Sequence, residues 1–396
     1  MLQYFALIVI ELLFWWRLRS DYREEGSTQW RYVRLVKAFF TLILIYALMK
    51  VLLMRGDMAV PKNAFSLIFL GAVAAMTVVS GLFYIMMSLI RLALAKISGK
   101  RVIWLKWITT GATAILFSVF IYGYFLGRFD IRTDRKEITI EGADERIDGL
   151  RIALISDLHL SSFYHHYDKL SGAISEININ RPDILINTGD FVSYGWQELQ
   201  GCDTILRKAR PSLGAFAISG NHDDCSYDTD LDLGSQAIGK AMVDSLIRRS
   251  GYTLLNDTSV VINYHGAKIR IAGIVTRGHR FNIRYGDAGK ALSGRADSAT
   301  VIFLVHDPSY WDNHRAIARN AHLTLSGHTH GMQVGFPVRG GYWSPAKYLF
   351  KYWAGLYEEN GRYLYVSRGF GTMSMAERIF MPPEITIITI RAGKKH

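Results

Sequence analysis

The sequence predicts an α/β domain that follows a helical membrane region. Two observations predict this architecture. Between residues 151 and 330, five short apolar runs typical of buried strands each end in residues that can bind metal ions. The first third of the chain is instead dominated by long apolar stretches. We therefore expect a transmembrane region at 1–127, a connection at 128–150 and the α/β domain at 151–396.

Four apolar stretches predict about four transmembrane helices, at 2–16, 38–54, 64–90 and 103–126. The third and fourth exceed the ~20 residues that a helix needs to cross a bilayer, and the second is close to that length. The first is short and contains Glu11, so it either crosses with a tilt or lies in the interface. It has neither the basic segment nor the small-residue cleavage site of a signal peptide.

Lysine and arginine in the short loops predict the orientation of these helices. Segment 17–37 holds six basic residues, 50–62 holds three and 91–106 holds five. The positive-inside rule then assigns the first and third segments to the cytoplasm. With four spans, we expect a multi-pass inner-membrane protein whose termini and α/β domain are extracytoplasmic. If residues 2–16 do not cross, we expect the α/β domain on the other side.

The charge distribution argues against a nucleic-acid partner. Residues 1–136 carry 18 Lys+Arg against 7 Asp+Glu, whereas the remaining residues carry 28 against 27. The excess positive charge belongs to the membrane region, where it favours contact with anionic lipid headgroups. Cys202 and Cys225 are the only cysteines in the sequence, which excludes a thiolate metal site. The two thiols either pair or stay free and buried.

Residues 127–150 connect the two parts. They alternate polar and apolar residues and contain Gly142 and Gly149, which predicts a juxtamembrane strand and a turn that lead into the first core strand. Because this connection is short, we expect the active site to be held near the bilayer.

Polar residues suited to metal binding follow each of the five predicted strands. Asp157 and His159 follow RIALIS, and residues i and i+2 of an extended segment point the same way. The later clusters are Gly189–Asp190 after DILINT, Gly220–Asn221–His222–Asp223 after AFAIS, His306 after VIFLV and Gly327–His328–Thr329–His330 after LTLS. In open sheets, ligands bind beyond the carboxyl ends of the strands. We therefore predict a two-metal hydrolytic site.

This series of motifs resembles the calcineurin-like metallophosphoesterases, whose pattern is D-x-H, GD, GNH followed by an acid, H and GHxH. Residues 365–372 (YVSRGFGT) and 382–390 (PPEITIITI) further resemble the closing strands of the bacterial membrane-anchored branch. The resemblance covers about 150–391. It implies a four-layer α-β-β-α sandwich of two mixed sheets and a phosphoesterase activity that depends on two divalent metals.

The resemblance also implies a role for each polar residue. Seven side chains would bind the metals: Asp157, His159 and His330 at one, Asn221, His306 and His328 at the other, and Asp190 as the bridge. His222 would donate a hydrogen bond or a proton to the reacting phosphoryl group, and Asp223 would orient it. Mn, Fe or Zn fits this set of oxygen and nitrogen ligands. Ser193 stands where the family often has an acid.

Further residues are candidates for contact with the substrate or the membrane. His165, His166, Arg277 and Arg280 are candidates for substrate binding, with solvated surface loops as the alternative. Residues 336–357 interleave aromatic side chains with arginine and lysine. That mixture suits a lipid-facing rim, and core packing is the alternative.

The anchor, the short connection and the aromatic–basic segment together favour a lipid-linked phosphate ester or pyrophosphate as substrate, hydrolysed by metal-activated hydroxide. Some anchored relatives are implied to cleave UDP-diacylglucosamine-type pyrophosphates. That chemistry requires cytoplasmic access and conflicts with the predicted orientation. Two alternatives remain: a phosphodiesterase acting on soluble nucleotides or cell-envelope polymers, and a catalytically silent metal-binding or sensing module.

Overall fold

The protein folds into two compact units in the computed structural model, which describes residues 2–22, 27–278, 282–293, 299–314 and 320–393. The first unit comprises the chain up to Arg55, Ser66–Leu126 and Ser374–Glu377. The second comprises Gly56–Phe65, Gly127–Met373 and the chain from Arg378 onward.

The first unit contains four helices: α1 (Leu2–Tyr22), α2 (Ser27–Leu52), α3 (Pro61–Ser98) and α4 (Ile103–Phe125). Among the described residues, three stretches are long and apolar enough to cross a membrane: Thr28–Leu52, Pro61–Ser98 and Ile103–Phe129. Helix α1 is not among them, since it carries Glu11, Arg17, Arg19 and Asp21. The N-terminal helical region is therefore present, with three candidate spans rather than four.

Three charged side chains of α1, those of Glu11, Arg17 and Asp21, are buried and make ion pairs. Glu11 pairs with Lys37 of α2, and Asp21 pairs with Arg17 and with Arg91 of α3. A charge in an apolar bundle is costly unless it is paired, and these ion pairs offset that cost.

The second unit contains two mixed sheets and the helices that cover them. The strands are β1 (Arg132–Glu141), β2 (Arg151–Ile155), β3 (Ile184–Asn187), β4 (Gly214–Ala217), β5 (Tyr252–Leu254), β6 (Thr258–Tyr264), β7 (Ala267–Gly273), β8 (Thr276–Arg277), β9 (Arg284–Tyr285), β10 (Thr300–Leu304), β11 (Leu323–Ser326), β12 (Phe336–Val338), β13 (Gly341–Trp343), β14 (Gly355–Glu359), β15 (Arg362–Val366) and β16 (Glu384–Gly393). The helices are α5 (Tyr167–Ile179), α6 (Cys202–Leu206), α7 (Leu233–Arg249), α8 (Ala288–Ala291) and α9 (Tyr310–Asn313).

Each large sheet has six strands, in the orders β1-β16-β2-β3-β4-β5 and β14-β15-β11-β10-β7-β6. Strands β2 to β5 run parallel, as do β7, β10, β11 and β15. Strand β16 makes the first sheet mixed, because it runs antiparallel to β2, with Ile388 opposite Ile152. Two short hairpins, β8–β9 and β12–β13, lie outside the large sheets.

The two sheets pack face to face, and the helices cover their outer faces. Along β2, Ile152 and Leu154 join a buried cluster shared by both sheets, whereas Ala153 and Ile155 pack with α5 and α7. Side chains of a strand alternate between its faces, so a strand buried on both sides reads as a continuous apolar run. Helices α8 and α9 cover the second sheet. The predicted four-layer α-β-β-α fold is confirmed.

Candidate metal centre

The polar clusters follow strands β2, β3, β4, β10 and β11, as the sequence predicts. Each of these strands is parallel to its neighbour among the five, so their carboxyl ends meet at one edge of the sandwich. The side chains delivered there are buried: each of Asp157, His159, Asp190, Asn221, His306 and His330 is at most 4% exposed. His328 is partly exposed.

Two groups of three side chains converge closely enough to hold one cation each: Asp157, His159 and His330 in the first, and Asp190, His306 and His328 in the second. Within each group the potential ligand atoms lie within 4.8 Å of one another. His159 Nε2 is 3.2 Å from His330 Nε2, and His306 Nε2 is 3.3 Å from His328 Nδ1.

Asp190 is a member of the second group and also lies close to the first. Its Oδ2 is 3.1 Å from His306 Nε2 in the second group and 3.7 Å from His159 Nε2 in the first. A shared carboxylate is suited to two adjacent cations, because its negative charge offsets their repulsion.

Several of these side chains are carried on strained backbone. Asp157, His159, Asp190, His328 and His330 have φ angles of 54°, 39°, 57°, 73° and 51°, in the left-handed region that non-glycine residues rarely adopt. Such strain clusters at functional sites, where the surrounding structure enforces it. The strands therefore end in sharp turns that aim the side chains inward.

The glycines of the motifs allow the backbone to approach the two carboxylates. A Cβ on Gly220 would lie 2.2 Å from Asp190 Oδ1, and a Cβ on Gly327 would lie 2.3 Å from Asp157 Oδ2. Gly189 has a φ of 105°, and its Cβ would lie 2.5 Å from the Gly220 nitrogen. Only glycine fits these three positions without displacing the candidate ligands.

The donor set fits two divalent cations. In each group two imidazole nitrogens face one another with a carboxylate oxygen beside them, and a cation is the partner that all three atoms can share. Asn221 Oδ1 is buried and has no hydrogen-bond partner among the described residues. A buried amide oxygen without a partner is costly, and coordination of a cation would remove that cost.

Burial and neighbouring charges shift the pKa values of the carboxyl and imidazole groups of the centre. Burial and the neighbouring Asp190 carboxylate raise the pKa of Asp223 well above its usual range. Burial acts on Asp190 too, but His306 holds its pKa well below the usual value. Burial lowers the pKa of His159 and His330, whereas Asp190 overcomes burial and raises the pKa of His306 to about 10. A cation entering the second group therefore displaces a proton.

The role expected for Asp223 is wrong, since its carboxylate does not contact His222. Oδ2 accepts the backbone amides of Asp190 and Gly220, each at 2.9 Å, and Oδ1 accepts those of the two residues after Asp190. His222 Nδ1 instead lies 2.8 Å from the carbonyl oxygen of Ser193. Asp223 thus holds the turn that carries Asp190, because its oxygens are occupied by amide donors.

The three described candidates for substrate binding are not part of the two groups. His165 is exposed, with its ring 3.9 Å from that of Tyr164, and His166 packs against Phe129 at 4.8 Å. Arg277 is exposed on strand β8. Arg280 lies outside the described residues.

Three residues next to the centre were not assigned a role from the sequence. Ser193 Oγ lies 3.1 Å from His159 Nδ1, Glu198 accepts the Ser193 amide at 3.0 Å, and Tyr227 stacks on His222 at 3.6 Å. For Ser193 the sequence offered one signal, its position where the family often has an acid. No sequence pattern marks Glu198 or Tyr227 as site residues. Cys202 and Cys225 are buried free thiols.

Comparison with known proteins matches the same part of the chain to one family. The family model described as calcineurin-like phosphoesterase matches residues 150–332. The uncharacterized metallophosphoesterase YkuE of Bacillus subtilis is 30% identical over 276 residues, which are 68% of this chain and 90% of that protein. A transmembrane protein with metallophosphoesterase domain from Danio rerio is 28% identical over 64% of this chain and 56% of its own. The UDP-2,3-diacylglucosamine pyrophosphatase LpxG of Chlamydia muridarum is 27% identical over 61% of this chain and 84% of its own.

Proposed function

The chain belongs to the calcineurin-like phosphoesterases, and on that premise we propose that it hydrolyses a phosphate ester or pyrophosphate bond of a lipid-linked substrate at the membrane. Family membership makes the protein a metal-dependent phosphoesterase. The observation that carries the lipid part of the proposal is an exposed apolar surface attached to the loop that bears His328 and His330.

The metals would be held by seven side chains, namely the six of the two groups and that of Asn221. Asp157, His159 and His330 would hold one, Asn221, His306 and His328 the other, and Asp190 both. Two divalent cations supply a water of lowered pKa and neutralise the charge that develops on the phosphoryl oxygens. The set of oxygen and nitrogen donors suits Mn, Fe or Zn.

His222 would assist departure of the leaving group. It is 4% exposed, its Nδ1 is engaged by the Ser193 carbonyl, and its ring is stacked on Tyr227. These contacts fix the imidazole with its Nδ1–H directed at the carbonyl oxygen, and the doubly protonated ring would donate from Nε2 to a phosphoryl or leaving-group oxygen. Asp223 would act on the Asp190 turn rather than on His222.

Two arginines on the hairpin β8–β9 would bind a second anionic group of the substrate. Arg277 and Arg284 are directly opposite one another and line a cavity of about 550 Å³. Neither guanidinium has an ion-pair partner among the described residues, and like charges in this register repel unless an anion lies between them. The hairpin is fastened beside the centre, since Gly278 N donates to Asp224 at 3.0 Å and Tyr285 donates to Asp307 at 2.7 Å.

The lipid preference is supported by an exposed apolar surface, which we call the aromatic rim, formed by Phe336, Val338, Tyr348 and Leu349. Each of these side chains is between 49% and 72% exposed. Lys347 Nζ lies 5.0 Å from the Tyr348 ring centroid. Aromatic side chains settle at headgroup depth and lysine meets lipid phosphates, so this surface suits the membrane interface.

The residues that directly follow the aromatic rim in the sequence contact the loop of the metal centre that carries His328 and His330. Thr329 Oγ1, between the two histidines of the GHTH motif, donates to the Trp353 carbonyl at 2.6 Å. The Phe350 ring lies 6.2 Å from the His328 ring. A headgroup whose acyl chains remain in the bilayer beside the rim would therefore reach the centre without leaving the membrane.

The catalytic part of the proposal is tested by the His222→Ala variant. With Mn and bis(p-nitrophenyl) phosphate, we expect kcat to fall by about 10²–10⁴-fold, the contribution of a positioned proton donor. Two metals per chain should remain bound, measured by elemental analysis, because His222 is outside both groups. His265→Ala, which removes an exposed histidine of the β6–β7 turn, is the matched control and should leave kcat unchanged. Turnover at the wild-type rate in His222→Ala would show that the assignment is wrong.

A further inference from the structure

The loop between α2 and α3 is part of the second compact unit. Together with the start of α3 it forms the segment Gly56–Phe65, which belongs by its contacts to the unit that carries the metal centre. Ala59 is 1% exposed, and its Cβ lies 2.9 Å from where a Cβ on Gly195 would be. Asp57 Oδ1 accepts the Ala59 amide at 2.7 Å, and Asn63 donates to the Asp57 carbonyl at 2.9 Å. The loop is therefore a compact turn that fixes the Asp57 side chain.

One contact of Asp57 leads to the Nδ1 side of His222. Asp57 Oδ2 accepts a hydrogen bond from Gln197 Nε2. The next residue, Glu198, is 1% exposed, and its carboxylate accepts the amides of Ser193 at 3.0 Å and of Tyr194 at 2.7 Å. Ser193 in turn provides the carbonyl that lies 2.8 Å from His222 Nδ1. A short turn, 193–198, thus connects Asp57 with the imidazole.

A second contact of Asp57 leads to the ring face of His222. The carboxyl group of Asp228 is 1% exposed and is hydrogen-bonded to Asp57, and burial together with Asp57 raises the pKa of Asp228. The preceding residue, Tyr227, stacks on His222 with an interplanar angle of 17°. Its hydroxyl also accepts a hydrogen bond of 2.9 Å from Asn221 Nδ2.

We propose that Asp57 is a positioning residue for His222: one carboxylate joins the two segments, 193–198 and 227–228, that hold the imidazole at its Nδ1 atom and on its ring face. The inference rests on the proposed function, in which His222 donates to the reacting phosphoryl group. A donor acts in the transition state only when it is already oriented, and a misplacement of about 1 Å can cost about 10²-fold in rate.

A double-mutant cycle on the full chain in detergent micelles tests the proposal. The variants are Asp57→Ala, His222→Ala and the two combined, assayed with bis(p-nitrophenyl) phosphate and Mn. We expect Asp57→Ala to lower kcat by about tenfold or more with KM changed by less than about twofold, since it disturbs orientation rather than binding. In the His222→Ala background the same substitution should have no further effect on kcat. A role confined to folding would not give this dependence on His222.

The matched control is Asp183→Ala. Asp183 also joins two segments, accepting the Arg151 amide and the Ser212 hydroxyl at 2.9 Å each, but neither segment contacts His222. We expect Asp183→Ala to have a kcat within about twofold of wild type. Any loss of kcat that it causes should be the same in the wild-type and in the His222→Ala background. Asp57→Asn, which keeps the size of the side chain, should lower kcat in the same direction as Asp57→Ala but by less.

The outcomes separate the inference from the proposed function. Wild-type kcat in Asp57→Ala, or equal losses from Asp57→Ala in both backgrounds, would overturn the positioning role while leaving the function of His222 intact. Wild-type kcat in His222→Ala would overturn the function of His222 and with it the route proposed for Asp57. Loss of bound metal in Asp57→Ala, measured by elemental analysis, would show that Asp57 acts on the metal groups instead of on His222.

Discussion

At the scale of single residues, the centre depends on glycines as much as on its candidate ligands. The motif glycines were identified from the sequence, and at Gly189 a φ of 105° shows that the sharp turn requires glycine. The structure adds a second reason at Gly220 and Gly327, whose Cα atoms lie against the carboxylates of Asp190 and Asp157. A side chain at either position would displace the carboxylate of a candidate ligand.

We predict that Gly220→Ala abolishes metal binding in the second group. The added Cβ would lie 2.2 Å from Asp190 Oδ1, so the carboxylate has to move away from His306. Elemental analysis should show at most one metal per chain, and the activity with bis(p-nitrophenyl) phosphate should be lost. The matched control is Gly172→Ala in α5, where a Cβ would meet no atom within 4 Å. That variant should retain both metals and gain helix stability of about 1 kcal/mol. Two bound metals in Gly220→Ala would contradict the prediction.

The residues that the sequence could predict are those that a motif makes explicit. Asp157 and His159 are separated by one residue directly after an apolar strand, and this spacing predicted a shared target. Both residues adopt left-handed rather than extended backbone, so the reason for their convergence differs from the one expected. Glu198 and Tyr227 have no comparable pattern, because their role depends on contacts with Ser193 and His222 made only in the folded chain. Asp223 was predicted as a site residue but with the wrong partner, because sequence adjacency to His222 does not show which groups its oxygens accept.

At the scale of elements, the central strands were predictable and the hairpins were not. Strands β2, β3, β10 and β11 are buried on both faces and therefore appear as continuous apolar runs. The strands of β8–β9 and β12–β13 have only two or three residues each, too few to show a period. Residues 336–357 were identified by composition alone, and the exposure of Tyr348 and Leu349 favours the lipid-facing interpretation over core packing.

We predict that the aromatic rim is needed for lipid substrates and not for soluble ones. Replacing both Tyr348 and Leu349 by serine removes two side chains that are 72% and 71% exposed. Full burial of each side chain in the bilayer would contribute about 1.5–3 kcal/mol. Loss of partial insertion of the pair therefore corresponds to about a tenfold or larger loss of the rate with a lipid substrate. We expect this loss for phosphatidic acid or CDP-diacylglycerol in phosphatidylcholine vesicles, and a rate within about twofold of wild type for soluble bis(p-nitrophenyl) phosphate.

A matched pair of substitutions controls for the removal of exposed apolar surface as such. Ile179 and Ile238 are 73% and 68% exposed on α5 and α7. Replacing both by serine should leave the rates with vesicles and with the soluble diester unchanged. Equal losses with both substrates in the rim variant would argue for the soluble phosphodiesterase alternative and against a lipid-facing surface.

At the scale of the whole molecule, the side of the membrane on which the centre lies depends on three helices rather than four. We expected the α/β domain on the other side if residues 2–16 do not cross, but with α2, α3 and α4 as the spans the positive-inside rule does not require that reversal. Helices α2, α3 and α4 alternate in direction whatever α1 does, so the segment before α2 and the loop after α3 share one side. These are the segments with six and five basic residues. By this rule only the location of the N-terminus would depend on α1, and we still predict an extracytoplasmic metal centre.

This orientation predicts which introduced thiols react with a membrane-impermeant maleimide in intact spheroplasts. Ser175 is exposed on α5, and Ser98 is exposed at the end of α3. We expect Ser175→Cys to be labelled in intact spheroplasts and Ser98→Cys only after permeabilisation. Cys202 and Cys225 are buried, so the parent protein serves as the unlabelled control. The reverse pattern would assign the centre to the cytoplasm and make nucleotide-linked lipid pyrophosphates accessible to it. The expected pattern would instead restrict the substrate to phosphorylated lipids of the outer leaflet, because a centre held at the outer surface meets only those headgroups.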